Sequence, residues 1–400
     1  MKSHMDTQKP QTDEAPSPGA KQHLLFVDAL RGAACFWVLL HHSFASTPVP
    51  GGPLHLPLYL LVRFSDIGWL GVNLFLVLSG FCLFYPLAAR AEPKQIRIDL
   101  TKFARRRAMR ILPPYYAGLA LFAAVAAIGY GRSTGHWNWL IAFRGAHDLL
   151  THLLMLHNLR PDTFGSVSPA FWSLALECQL YVIFPLVVWL TARAGIKQAL
   201  VVTLLIAIAW QSMCYFRLGL SMGWTSDYGV LYDALPGRCF EFAAGIAAAL
   251  LVARPRLGQS QKALVVWLLA LVPGLLAVLF VSRFGPLIDQ IWAVVFASIL
   301  VWLASTSNAR FERIALLRSI VWLGTISYSV YLVHQPLIAI ISPHKMHLPA
   351  TAVGTILAGF VRLPILVGIG YLFHLLFEKP FIRTGKTRVS RQSLAPASTS

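Results

Sequence analysis

Residues 24–44 read LLFVDALRGAACFWVLLHHSF. At 1.5 Å per residue, a helix of this length crosses a bilayer hydrocarbon core of about 30 Å. The run is apolar apart from Asp28, Arg31, His41, His42 and Ser43. Charged side chains at such depth are costly, about 2.5–3.5 kcal/mol each on insertion scales, so they belong to ion pairs or to function. Arg31 and His42 are eleven residues apart. That is close to three turns, so they share a helix face about 16 Å apart. Asp28 lies on the same face and can pair with Arg31, whereas His41 points elsewhere. Spacing alone fits a plainer reading at least as well, with an ion pair at the membrane edge and an interfacial histidine.

The rest of the chain repeats this theme. Ten stretches are apolar and long enough to span: 24–44, 67–89, 111–130, 171–192, 199–216, 236–253, 263–282, 286–304, 319–341 and 352–378. Across 400 residues the apolar set makes up 56% and the charged set 12%. The mean hydropathy is +0.62. That excludes a set of water-soluble domains, which could not cover their surfaces with polar groups. The expected fold is all-α, a polytopic membrane helix bundle of about ten transmembrane helices. Polar stretches flank it, a Pro-rich tail over 1–23 and a basic, Ser-rich tail over 384–400, both expected to be disordered and cytoplasmic. The first has no apolar core of a signal peptide. The bundle is one domain, 24–383, with no repeat period visible, and no further domain is expected after it.

The charge balance is +18. Its basic residues sit in short runs between spans, over 90–110, 193–197, 254–262, 310–318 and the C-terminal tail. With ten spans all five fall on one side, which the positive-inside rule makes the cytoplasm, with both termini inside. No module signature accompanies the charge, so nucleic acid is not the expected partner; membrane lipid is. On the other side, HDLLTHLLMLHNL (147–159) reads as an amphipathic stretch lying flat at the interface. The five cysteines are isolated and show no CxxC spacing, so neither a metal site nor a disulfide framework is indicated.

Further polar groups lie within the spans. Glu177 sits one turn before Tyr181, and its plain reading is a pair with an arginine of a neighbouring helix. Arg238 and Glu241, three apart, read as an internal pair. Ser327, Tyr331 and His334 form one stripe with Tyr328 beside it, which suits an aqueous cavity or a hydrogen-bonded seam between helices. Pro336 ends the easy helix geometry just after them. Ser79-Gly80 permits close helix contact.

Taken in order, these segments resemble the membrane acyltransferase 3 family. The likeness rests on VDALRGAACFWVLLHHSF with its Arg31–ten residues–His42 spacing, GVNLFLVLSGF (71–81), RRRAMRILPPYY (105–116), FWSLALECQLYVIFP (171–185), LGTISYSVYLVHQP (323–336) and FEKPF (377–381). It covers most of 24–383. Two departures stand out, Asn73 where an Asp is common, and His41 beside the motif's own histidine.

The resemblance implies a bacterial inner-membrane enzyme. It would move an acyl group, usually acetyl, from cytoplasmic acyl-CoA to a hydroxyl of an extracytoplasmic glycan or glycolipid, with no metal. On that reading His42 is the general base or a transient acyl carrier, because imidazole exchanges protons near neutral pH. Arg31 contacts the donor or holds Asp28, and Glu177 orients a histidine or a guanidinium. Arg105, Arg106, Arg107 and Arg110 suit CoA phosphates, the guanidinium fork matching their geometry; the same run also serves as a topology signal. Ser327, Tyr328, Tyr331 and His334 are candidates for the acceptor or oxyanion side. Trp137, Trp139, Trp224, Asp227 and Tyr228 are available near the outer mouth for a sugar, or as interfacial aromatics. The competing class is transport, a proton-coupled exporter or flippase using buried His, Arg and Glu.

Overall fold

The computed structural model describes residues 24–44, 47–49, 55–136, 138, 140–217, 229–254, 287–304, 313–341, 346 and 351–382. Both tails, the span expected over 263–282, and Trp137, Trp139, Trp224, Asp227 and Tyr228 lie outside them. Among the described residues the protein is helical and contains no strand. The long helices are α1 (Leu25–Phe44), α3 (Leu70–Ala88), α4 (Leu100–Thr134), α6 (Phe171–Ala194), α7 (Ile196–Arg217), α9 (Leu235–Ala253), α10 (Ile288–Leu303), α11 (Ala315–Ile340) and α12 (Ala352–Phe373). Short helices α2 (His55–Asp66), α5 (Ala146–Leu153) and α8 (Gly229–Tyr232) lie between them. Seven of the described helices are long and apolar enough to cross a membrane, and Ile288–Leu303 is a shorter apolar one. The polar residues of α1 dilute its hydropathy, and it is not among the seven.

Nine of the ten expected spans coincide with described helices, with one clear difference in extent and two in local geometry. Helix α4 starts at Leu100, so the basic run is helix, not loop: Asp99 caps it by accepting the Lys102 N–H at 2.9 Å, and Lys and Arg are good helix formers. Helix α11 continues through Pro336 to Ile340. After α12 the chain adds a π-helical turn, His374–Glu378, a distortion that recurs at functional sites.

Two helix pairs form the centre, α1 with α11 and α3 with α9. In both, glycines face one another. A β-carbon on Gly32 would overlap the Ile320 carbonyl, and one on Gly324 would overlap that of Asp28. Gly80 meets the Phe242 carbonyl in the same way, and Gly245 that of Val77. Lipid tails are as apolar as leucine, so association in a membrane rests on such close backbone packing.

At one end of the bundle a cavity of about 980 Å³ includes Lys94, Arg193, Lys197 and Arg254 in its wall. Three of the five basic segments therefore meet there, and Arg254 pairs with Glu92.

At the other end, residues 140–170 fold into a cap whose polarity runs inside-out. Leu150, Leu153, Leu154 and Leu156 are exposed, while Asp148, His152 and His157 are fully buried. The expected flat stretch is two pieces, α5 and a 3-10 turn at His157–Leu159, broken where Met155 takes a left-handed φ of 56°. The His152 and His157 rings stack 4.1 Å apart. His152 Nδ1 donates to the Asp148 carbonyl at 3.0 Å, and Tyr115 and Tyr116 of α4 donate to the His152 and Leu153 carbonyls.

Two outcomes are expected from this packing. Gly32→Ala or Gly324→Ala forces the α1–α11 backbones apart and costs about 1–3 kcal/mol. Gly129→Ala, where nothing lies within 4 Å, is neutral or slightly stabilising. Thermal unfolding in detergent measures the difference, and equal midpoints would remove the crossing from its central place. The second concerns acid. Burial pushes His157 down to about 3, with His152 adding to the effect, and burial lowers His152, partly offset by Asp148. Both are held neutral when folded, so their stabilisation is complete above the ordinary value near 6.5 and is lost as pH falls toward about 3. The loss is about 1.4 kcal/mol per pH unit for each proton taken up. Hydrogen exchange over 140–170, corrected for intrinsic rate, should accelerate below pH 6.5, and His157→Phe should flatten that dependence.

Candidate active site

Between α1, α3, α4, α6 and α11 lies a cavity of about 80 Å³. That is room for a few waters or the reacting end of a larger molecule, a water occupying about 30 Å³ of liquid. Its polar wall is Arg31, Ser79, Arg110, Ser173, Glu177, Tyr181, Ser327, Tyr328 and Tyr331. Six of the residues singled out from sequence (Arg31, Arg110, Glu177, Ser327, Tyr328, Tyr331) thus converge from four helices.

The hydroxyls are held in place. Tyr181 donates a short hydrogen bond to Glu177 Oε1, and Ser79 Oγ donates to the same oxygen at 3.2 Å. Glu177 is therefore gripped by a serine and a tyrosine instead of the neighbouring arginine its plain reading assigned. Gly80 packs on α9, and the residue before it, Ser79, turns the other way into the cavity. Ser173 Oγ and Tyr331 Oη are 2.7 Å apart. Tyr328 Oη donates to the Ile111 carbonyl at 2.9 Å, and Ser327 Oγ to that of Gly324 at 2.9 Å.

Helix α4 divides the arginine run. Arg105 and Arg106 are exposed, while Arg107 and Arg110 are half-buried. The Arg107 guanidinium lies over the rings of Phe103 and Tyr181, at 6.0 and 5.7 Å, with its buried Nε unpartnered. Arg31 and Arg107 are each near enough to Arg110 for their charges to act on it. Arg31 is loosely paired, 3.9 Å from Asp28 Oδ1, and its Nη2 donates to Cys82 Sγ at 3.7 Å.

His42 does not line this cavity. It stands toward the C-terminal end of α1, half-buried, with its ring 5.1 Å from that of His334 and the Gln335 amide nitrogen 3.2 Å from its Nε2. The link to the cavity is Tyr331, which lines it and whose ring lies 5.2 Å from His334. His41 faces the other way, with Nδ1 donating to the Ser65 carbonyl of α2 at 2.8 Å. The expected face of α1 therefore holds, but its two ends serve two neighbouring polar sites.

Several polar groups carried no clear signal in the sequence. Glu378, in the π-helical turn, accepts from Ser329 Oγ at 2.5 Å and from His374 Nδ1 at 2.9 Å; FEKPF marked the place but not the partners. Arg238, expected to pair with Glu241, does so at 3.1 Å. It also meets Asp289 at 2.5 Å and Asp233 at 3.6 Å. Asn73 joins that network by donating to Asp289 at 2.7 Å and accepting from Arg238 at 3.2 Å. Ser329, Asp289 and Asn73 come from distant points in the chain, so spacing could not reveal them; His374, four residues before Glu378, was within reach of it.

Residues 24–375 match the model of an acyltransferase domain family. Over 341 residues the chain is 27% identical to a Bacillus subtilis (strain 168) protein named as a peptidoglycan O-acetyltransferase, covering 80% of this chain and 50% of that one. It is 24% identical over 348 residues to a peptidoglycan O-acetyltransferase of Listeria monocytogenes, covering 81% and 51%. A shorter match, 32% over 122 residues, covers 30% of this chain and 31% of a protein from Acidianus two-tailed virus named as an acetyltransferase. The chain thus spans about half the length of the first two relatives. No solved structure matches it. The family match runs from the residue before α1 past the end of α12 and so contains every helix that walls the cavity; the chain belongs to this acyltransferase family.

Proposed function

We propose that the protein is an integral membrane O-acyltransferase that moves an acyl group, acetyl by likeness to its relatives, from cytoplasmic acyl-CoA to a hydroxyl outside. The relatives' names point to a peptidoglycan-type glycan as acceptor class. The reading includes about ten spans, both termini in the cytoplasm, and the bacterial inner membrane. It rests on one observation, the convergence of Arg31 and Arg110 at a hydroxyl-lined cavity inside an apolar bundle, with Arg107 beside it over the Tyr181 ring. Glu177 is the one carboxylate in that wall. Guanidinium groups held together in a medium of low dielectric favour an anionic ligand, and CoA supplies phosphates. At about 80 Å³ the cavity suits the acyl end, leaving the nucleotide part toward the basic end.

The residues then divide the work. Arg107 and Arg110, turned inward, hold donor phosphates; Arg105 and Arg106, on the exposed face, contribute only long-range attraction. Glu177, fixed by Ser79 and Tyr181, keeps a negative charge near the guanidiniums and orients them. The Ser173–Tyr331 pair presents hydroxyls where an oxyanion would develop. His42 takes the acceptor proton while the acceptor oxygen bonds to the acyl carbon; the carbon–sulfur bond breaks, the thiolate receives that same proton and leaves as CoA, and His42 is neutral again. A route in which His42 first carries the acyl group has the same net balance. The transport reading draws on the buried Arg238, Glu241 and Asp289 network, and it requires substrate movement without acyl-CoA.

Two measurements test the proposal. Protein in nanodiscs, given acetyl-CoA and a peptidoglycan digest, should release free CoA. His42→Ala should lower that rate at least about a hundredfold, the scale of a general base, while His41→Ala stays within about threefold. CoA release unaffected by His42→Ala would overturn the assignment, and no binding of acetyl-CoA would favour transport. In equilibrium binding of acetyl-CoA, Arg107→Gln and Arg110→Gln should each weaken affinity about tenfold, as loss of a charge-assisted hydrogen bond requires. Arg105→Gln and Arg106→Gln should change it less than about twofold.

A further inference from the structure

His334 is the best-defined base in the bundle. It is fully buried, and its Nδ1 donates to the Tyr331 carbonyl at 2.6 Å. A carbonyl only accepts, so Nδ1 carries the hydrogen and Nε2 is left as a lone pair. That Nε2 is buried and has no partner. Buried polar atoms without partners are rare and call for a reason, and a leucine or phenylalanine would fill the same space without the cost.

A second acceptor is orphaned beside it. Gln335 Oε1 is likewise buried and unpartnered, and the same amide lies against His42 through its nitrogen. The Gln335 nitrogen donates to a His42 lone pair; with that amide turned over, two acceptors without donors flank one imidazole. Neutral His42 has a single N–H and can satisfy one of them; the imidazolium has two. The His42 and His334 rings, 5.1 Å apart, leave space for one N–H···N hydrogen bond of about 3 Å.

We infer that His334 is a positioning residue for His42: its Nε2 accepts an N–H of His42, and with Gln335 it forms a pocket complementary to the protonated imidazole. The inference rests on the reading of His42 as the group that takes the acceptor proton, and it moves His334 from acceptor recognition to the support of that base. In the resting protein His334 fixes which His42 nitrogen keeps its hydrogen and which faces the acceptor. When His42 takes up the proton, its second N–H supplies the acceptor left over, Gln335 Oε1, so the pocket holds the reacting state more tightly than the resting one. Outer partners of this kind are worth about 10–100-fold in comparable sites.

The experiment compares His334→Leu, His334→Gln and Gln335→Leu with wild type, using acetyl-CoA and a peptidoglycan digest as acceptor probe. Acetyl-CoA binding is measured in each sample to show that the bundle is intact. His334→Leu should lower kcat about 10–100-fold with KM for the digest within about twofold. His334→Gln, which keeps an acceptor near the Nε2 position, should recover most of the rate. A raised KM at unchanged kcat would return His334 to acceptor binding and overturn the inference, as would equal loss in the Leu and Gln variants. Nitrogen-15 histidine spectra give a readout that needs no turnover. His334 should appear as the Nδ1–H tautomer, and its Nε2 resonance should move in His42→Ala. An Nε2 signal unaffected by His42→Ala overturns the pairing. Normal His334 spectra together with a fully active His42→Ala would instead sink the proposed role of His42.

Discussion

At Gly32 and Gly324 the backbones of α1 and α11 come so close that neither position has space for a β-carbon. Much of the site depends on that approach. It sets Arg31 beside the cavity that Ser327, Tyr328 and Tyr331 line from the other helix. Further along the same crossing it sets His42 against His334 and Gln335. The second glycine crossing, Gly80 with Gly245, does the same for α3 and α9. Its consequence is local and chemical: with Gly80 committed to α9, Ser79 faces Glu177 and Tyr181. Small residues thus determine where the large polar ones meet, as expected where lipid offers no hydrophobic gain for helix association.

The bundle separates its polar groups into clusters of differing completeness. Around Arg238 the cluster is dense, with Asp289 bonded to Asn73, Gln211 and Arg238. Such a network fixes which helices are neighbours, because breaking it leaves a buried charge uncompensated. The cavity around Arg31 and Arg110 is built differently, with hydroxyls and one carboxylate facing two guanidinium groups. At the His42–His334 pair, His334 Nε2 and Gln335 Oε1 have no partner. Buried polar groups left without partners call for a reason, and a ligand or a transferred proton is one.

The cap over 140–170 follows the same logic on the other side of the polarity divide. Its leucines face outward and its Asp148, His152 and His157 inward, so the amphipathic stretch is real but reversed relative to a soluble surface. Tyr115 and Tyr116 of α4 anchor it to the bundle through backbone carbonyls. Its apolar contacts join the cluster that also contains Tyr331 and Val38, which ties the cap to the α1–α11 seam.

By itself the sequence determined that the protein is a membrane helix bundle, because span length and hydropathy are local properties read directly from the chain. It also placed Asp28, Arg31 and His42 on one face, since helical periodicity fixes angular position, and the order of motifs pointed to the acyltransferase family. Gly80 was legible as a contact residue for the same reason: a small residue in an apolar helix has few other uses. What only the tertiary structure decided is which faces meet. The basic run was one block in sequence, and folding turned Arg107 and Arg110 inward while leaving Arg105 and Arg106 outside, because α4 begins at Leu100 and carries the run around its surface. Glu177 was expected to meet an arginine and met Ser79 and Tyr181. His334, one member of a hydroxyl-rich stripe, became the partner of a histidine 292 positions earlier. Contacts at that separation are set by helix–helix register, which depends on where two backbones can touch and leaves no periodic trace along either strand of sequence.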